Sequence, residues 1–453
     1  MVFSQADFLF LFLPIVLIVL ALAKRRWQNV ALFFLSLGFY AYGEKGFVVV
    51  MVVAILANYF LALRIRPRDT SVRNRNRLAF AIGLNLSLLF VFKYVPFLAG
   101  MAGVKRFSLH LPLGISFFTF QNISYLVDVY RGDVEAEPSV LNLGLYITLF
   151  PHLVAGPIVR YREIVDEIRH RERSWDDFIA GAEIFAVGLA KKVLVADVVG
   201  RTADVVFAMP TARLDSPLAW LGAWCYMLQI YYDFSGYSEM AIGLARMLGF
   251  HFPTNFAYPY AAKSIQDFWR RWHITLSRWF RDYVYIPLGG NRQGTSRLAI
   301  SLLTVFFLCG LWHGANWTFV VWGLYHGFFL VIERGFLGKL LARAPLGNAY
   351  ALFVILMGWV LFRASDIVSA LGFYGAMFGG AHAEASAALR DLLTPELVAV
   401  VVIGSIGIYP IIPRLMSSPR LATVRQFVLA AVMVFSLMVA MSDSYSPFLY
   451  FRF

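Results

Sequence analysis

Three histidines carry the side chains in this chain best suited to chemistry: His273, His313 and His326. A neutral imidazole accepts and returns a proton near neutral pH, so it can serve as a general base or acid. His313 follows Trp312 and precedes Gly314-Ala315-Asn316-Trp317, inside residues 298–332, which contain no Asp, Glu, Lys or Arg. An ionisable group in so apolar a setting faces the protein interior or a watery cavity. Position alone leaves two readings open, a general base or a hydrogen bond between helices. His326, in Gly323-Leu324-Tyr325-His326-Gly327, is explained more simply by helix packing than by catalysis. His273 ends Trp269-Arg270-Arg271-Trp272-His273. Alone it reads as an interfacial residue; beside His313 it becomes a candidate partner in the same cavity. His110, His152, His170, His251 and His382 fall at helix ends or in loops, and packing is the default for each, His152 included.

Further polar candidates gather near these. Asp233, Ser235 and Tyr237 lie in Asp233-Phe234-Ser235-Gly236-Tyr237-Ser238, directly after an apolar run. They either line a channel for a polar substrate or end a helix, with Ser235 or Ser238 capping the next. Trp312 and Asn316 flank His313, and Trp269, Arg270, Arg271 and Trp272 precede His273. The serine-hydrolase elbow, the phosphate-binding glycine loop and the zinc-protease His-Glu-x-x-His are all absent. Cys225 and Cys309 have neither metal-ligand nor disulfide-framework spacing, so no metal is expected.

These residues must be positioned by membrane helices. Of 453 residues, 60% are hydrophobic and 15% charged, whereas a soluble domain is roughly a quarter charged. The net charge of +13 is spread in short basic clusters between apolar runs. That is the pattern of cytoplasmic membrane loops, not a nucleic-acid-binding face. Residues 64–77 alone hold six arginines and are expected in the cytoplasm, as are Lys24, Arg25 and Arg26 after a retained first helix. The whole chain, 1–453, reads as one all-α polytopic membrane domain with about 10–13 membrane-embedded helices. As one straight helix, residues 298–332 would be about 52 Å long, against a hydrocarbon core of about 30 Å. They must form two spans or one broken helix, and Gly310 and Gly314 place the break at 312–316. Residues 264–283 have apolar side chains at helical spacing with Arg270, Arg271, Arg278 and Arg281 between them, which predicts one amphipathic helix lying in the membrane interface or tucked into a cavity. Residues 381–395 read as a polar surface loop.

Long motifs carry a resemblance. The segments YYDFSGYSEMAIGLARMLGF (231–250), NFAYPY (255–260), SIQDFWRRWHITLSRWFRDYVYIPLGGNR (264–292) and LWHGANWTFVVWGLYHG (311–327) are similar to those of the membrane-bound O-acyltransferases. Within that family they resemble the bacterial alginate O-acetylase membrane subunits. LPLGISFFTFQNISYLVDVYRGD (111–133) and FPHLVAGPIVRY (150–161) extend the likeness over nearly the whole chain. The resemblance implies a central tunnel, with the catalytic motifs in 264–327. It implies that His313 is the family's near-invariant histidine and His273 its second signature position, held elsewhere by His, Asn or Asp. It implies an acetyl donor, acetyl-CoA, bound as substrate with no resident cofactor. It further implies a polysaccharide acceptor reached directly or through a periplasmic acyltransferase partner, and residence in the bacterial inner membrane. Peptidoglycan or another exopolysaccharide is the alternative acceptor. A transporter with His313 in its pore, or a secretion scaffold, is the alternative class, though only one interrupted segment is present where transporters pair two.

Overall fold

The computed structural model describes residues 2–104, 109–292, 294–341, 346–379, 383–411 and 418–442, and every regular element among them is helical. Among the described residues, four helical runs are long and apolar enough to cross a membrane: Arg25–Ala62, Val72–Lys93, Thr295–His313 and Thr423–Ser442. Asp7–Leu22, Gly347–Arg363, Ile367–Phe378 and Pro395–Gly407 are shorter apolar helices. Large apolar side chains such as Phe427, 73% exposed, point outward. A surface of that kind is stable only against lipid, and the chain is a polytopic membrane protein.

Contacts divide the chain into two compact units, 1–185 with 237–253, and 186–236 with 254–453. In the first, Asn58 and Asn85 join helices Val48–Ala62 and Val72–Lys93 by reciprocal amide bonds of 3.1 and 2.7 Å. Paired amides of this kind link helices in lipid, where water cannot compete for them. Helix Ile115–Arg131 is buried on nearly all sides and lies between two left-handed glycines, Gly114 and Gly132. Just beyond it, buried Glu137 accepts hydrogen bonds from Tyr161, Arg169 and Asn142.

The second unit is built on an antiparallel hairpin, Thr295–His313 and Trp317–Arg334. Glycines set its spacing. A Cβ on Gly310 would lie 2.2 Å from the Phe319 carbonyl oxygen, and one on Gly323 would lie 2.2 Å from that of Phe306. The backbones approach as closely as small residues allow. The break at 312–316 is therefore real, and residues 298–332 form two helices. Gly314 ends the first in an extended conformation. Gly310 stays helical, and its work is close packing.

Three expectations need correction. The apolar run ending near 232 continues as one 32-residue helix, Ser216–Met247. Asp233–Ser238 therefore lies inside a helix, and neither Ser235 nor Ser238 caps one; burial of this polar stretch overrides its turn-like composition. The amphipathic segment 264–283 is two short helices, Ile265–Arg271 and Ile274–Phe280, broken at Trp272-His273. Residues 383–392 of the expected loop are helical. His382 lies outside the described residues.

Candidate active site

The break at His273 is held by chain from the NFAYPY segment. His273 adopts a left-handed backbone, φ 43°, which interrupts the helical bond ladder. The freed groups find partners nearby: Ala257 N–H donates to the Arg271 carbonyl at 3.0 Å, and Ile274 N–H to the Asn255 carbonyl at 2.9 Å. The Asn255 side chain completes the clamp. Its Oδ1 accepts the Thr275 N–H at 3.2 Å, the Thr275 hydroxyl at 2.9 Å and His273 Nδ1 at 3.2 Å. A backbone N–H can only donate, so the accepting atom is an oxygen and His273 Nδ1 carries the hydrogen. Nε2 is then left as a lone pair, buried and without a partner among the described residues. Burial pushes the His273 pKa down to about 3, so the ring is neutral at physiological pH.

The helix before this turn is fixed to the hairpin. Glu333, on Trp317–Arg334, accepts the N–H groups of Ile265 at 2.6 Å and Gln266 at 2.8 Å. Ser264 caps the same terminus by accepting the Asp267 N–H at 3.0 Å. A carboxylate at a helix N-terminus satisfies orphan donors and meets the positive end of the helix dipole.

His273 and His313 meet across one ring. The Trp312 indole lies 6.1 Å from the His273 imidazole and 4.9 Å from that of His313, between ring centres. His313 also packs against Trp322 and Phe362, each at 5.1 Å. Phe234, from the long helix, closes on His273 at 4.8 Å. His326 lies at the other end of the cluster, 5.1 Å from Trp322 and 5.2 Å from Trp269. Trp272 stacks on Phe268 at 5.5 Å and packs against Trp359 at 4.9 Å. His313 is 7% exposed, His273 1% and His326 0%. The result is a buried aromatic cage holding three imidazoles.

The other sequence candidates divide. Trp269, Trp272, Trp312 and His326 belong to the cage. Asn316 does not: its side chain caps Trp317–Arg334, accepting the Thr318 N–H at 3.2 Å and donating to the Ser365 carbonyl at 2.8 Å. Its amide is occupied by structure. Arg271 is held by Asp267 at 2.9 Å. Arg270 borders a half-open cavity of about 250 Å³, with Arg281 and Arg334 also on its wall and an apolar lining that includes Leu302, Phe306 and Cys309. Trp269 lines this cavity too and packs against His326. Ser235 is buried one residue after Phe234. Tyr237 falls in the other unit, where it stacks on Phe3 at 4.5 Å.

Asp233 forms part of an ion network the sequence did not reveal. Lys192 Nζ, 2% exposed, lies 2.7 Å from Asp197 and 2.9 Å from Asp233. Lys192 sits in a π-helical stretch, Lys191–Ala196. The network fixes the turn of the long helix that carries Phe234 against His273. The signal was present, because charged residues inside the apolar run 178–208 need buried partners. Asn255 was also missed. Its only sequence cue was membership of the NFAYPY motif.

Two buried imidazoles pack against one indole within a polytopic helical membrane protein. Residues 134–365 match the model of the membrane-bound O-acyltransferase family. A probable alginate O-acetylase of Pseudomonas putida is 38% identical over 487 aligned residues, covering 100% of both chains. The Pseudomonas aeruginosa counterpart is 40% identical over 89% of this chain and 80% of its own. A peptidoglycan O-acetyltransferase of Helicobacter pylori is 35% identical over 84% of this chain and 80% of its own. The chain belongs to the membrane-bound O-acyltransferase family and is an acyltransferase. The transporter and scaffold alternatives fall with that finding.

Proposed function

We propose that the protein transfers an acetyl group from cytoplasmic acetyl-CoA to a hydroxyl of an exported polysaccharide of the alginate type, directly or through a periplasmic acyltransferase, from the bacterial inner membrane. The observation that carries this reading is the pairing of His313 and His273 on the Trp312 ring, inside the segment that matches the family. His313 is assigned the general base: it takes the proton of the attacking hydroxyl and returns it to the departing thiolate. His273, with Nδ1–H committed to Asn255, offers a lone pair at Nε2. It suits accepting an N–H or O–H in order to hold His313 or the acceptor in place. The aromatic cage keeps water from the thioester. The wall of Arg270, Arg281 and Arg334 suits the phosphates of the donor.

The names of the relatives favour alginate, and the Helicobacter pylori protein supports peptidoglycan as a second acceptor. The test is base-released acetate from envelope and exopolysaccharide fractions of a deletion strain complemented with wild type or His313→Ala at matched membrane levels. Acetate restored by wild type alone supports the assignment, and the fraction carrying it names the acceptor. Equal restoration by both makes His313 a packing residue.

A further inference from the structure

A neutral His273 bonded through Nδ1–H to Asn255 has no hydrogen to give an acyl oxygen. The cage has donors elsewhere. The indole N–H groups of Trp269 and Trp322 are buried and have no hydrogen-bond partner among the described residues, and the same is true of both ring nitrogens of His326. These three rings touch one another, with centres 5.1 to 5.7 Å apart. Trp322 also lies 5.1 Å from His313. Space is kept for the His326 ring, since a Cβ on Gly358 would come within 2.8 Å of its Nε2. A ring serving only as packing would be better as phenylalanine, which fills the same space and leaves no nitrogen orphaned. Here the orphaned donors collect around Trp322, whose ring touches that of the base, and a buried setting strengthens each hydrogen bond.

We infer that Trp269, Trp322 and His326 form the hydrogen-bonding subsite for the acyl carbonyl oxygen. The inference rests on the acyl-transfer reading above. As the hydroxyl oxygen bonds to the carbonyl carbon, its proton passes to His313 and negative charge gathers on the carbonyl oxygen. The two indole N–H groups and one imidazole N–H hold that charge. Collapse breaks the carbon–sulfur bond, and the thiolate takes the proton from His313. The three donors keep their protons throughout.

The test replaces Trp269 or Trp322 in the full-length protein with benzothienylalanine, which has the shape of tryptophan but sulfur in place of N–H. Membrane vesicles are supplied with radiolabelled acetyl-CoA. Each lost donor is expected to lower kcat by about 100-fold, with KM for acetyl-CoA unchanged. Thermal stability should hold or rise, because an orphaned buried group has been removed. His326→Gln, which keeps an N–H, should retain far more rate than His326→Phe, and Gly358→Ala should follow His326→Phe. Full kcat in both isosteric variants would overturn the subsite, as would a rate loss that merely follows a loss of folded protein. Transfer retained by His313→Ala would instead bring down the acyl-transfer reading, and the subsite with it.

Discussion

Two buried polar regions of this protein are built in opposite ways. Around Glu137 the acceptors and donors are matched: Tyr161, Arg169 at 3.1 Å, Asn142 at 3.2 Å and the Ser139 N–H at 3.1 Å all bond the carboxylate, and Glu137 N–H bonds Tyr125. Around His326, Trp269 and Trp322 the donors outnumber the acceptors among the described residues. A matched network returns the cost of burying its polar atoms. An unmatched donor leaves about 1–3 kcal/mol unrecovered. A membrane protein that pairs Asn58 with Asn85 and Lys192 with two aspartates does not lack means to satisfy polar groups. The unmatched donors of the cage are those assigned above to the acyl oxygen, and the Glu137 network is complete in itself.

The contrast can be broken by mutation. The largest effect is expected at His313→Ala, where transfer should fall by about 10² to 10⁴, with folded protein unchanged on a size-exclusion profile. Glu137→Ala should do the reverse. It strands Tyr161, Asn142 and Arg169 and should destabilise the fold by about 3 kcal/mol or more, seen as a fall in Tm, while each molecule that remains folded transfers normally. Asn255→Ala is intermediate. Loss of the clamp on His273 and Thr275 should cost about 1–3 kcal/mol and also lower transfer, so an effect on Tm without one on rate would separate His273 from the chemistry.

The Glu137 network also makes a prediction in pH. Burial raises its carboxyl pKa, but hydrogen bonds from Tyr161, Ser139, Arg169 and Asn142 outweigh burial and hold it below the usual 4.5. A carboxyl with a depressed pKa contributes stability above its unfolded value and loses it as pH falls through the folded value. The Tm difference between wild type and Glu137→Gln should therefore be full above pH 4.5 and shrink below it; a difference that is flat with pH would remove Glu137 from that role. The smallest effect is expected at Asn316→Ala, about 1 kcal/mol from a lost helix cap, with transfer unchanged.

Much of this was legible in the sequence, and the exceptions have physical causes. The uncharged run 298–332 was too long for one span, so the need for a break followed from length, and Gly314 marked where it falls. The Trp-Arg-Arg-Trp periodicity showed that 264–283 was amphipathic, but it could not show a left-handed residue inside the pattern. That conformation depends on Asn255, eighteen positions earlier in the chain. Asp233 was open to two readings, a channel wall or a helix end, because composition cannot distinguish either from a helix stitched to a buried lysine. Asn316 looked functional because it neighbours His313, yet its amide is used up at a helix start. Donor surplus, the feature that draws attention to Trp269 and Trp322, is a property of neighbours in space and has no trace in residue order.

The backbone at His273 carries one more consequence. Its φ of 43° lies where a side chain with a Cβ is disfavoured, and among non-glycine residues Asn, Asp and His enter that region most readily. These are the same three residues that the family resemblance admits at this position. Chemistry alone would not select such a set, since a carboxylate, an amide and an imidazole differ in charge and basicity. What they have in common is tolerance of a reversed turn. Any residue placed here must first tolerate that reversed turn, whatever chemistry its side chain then offers.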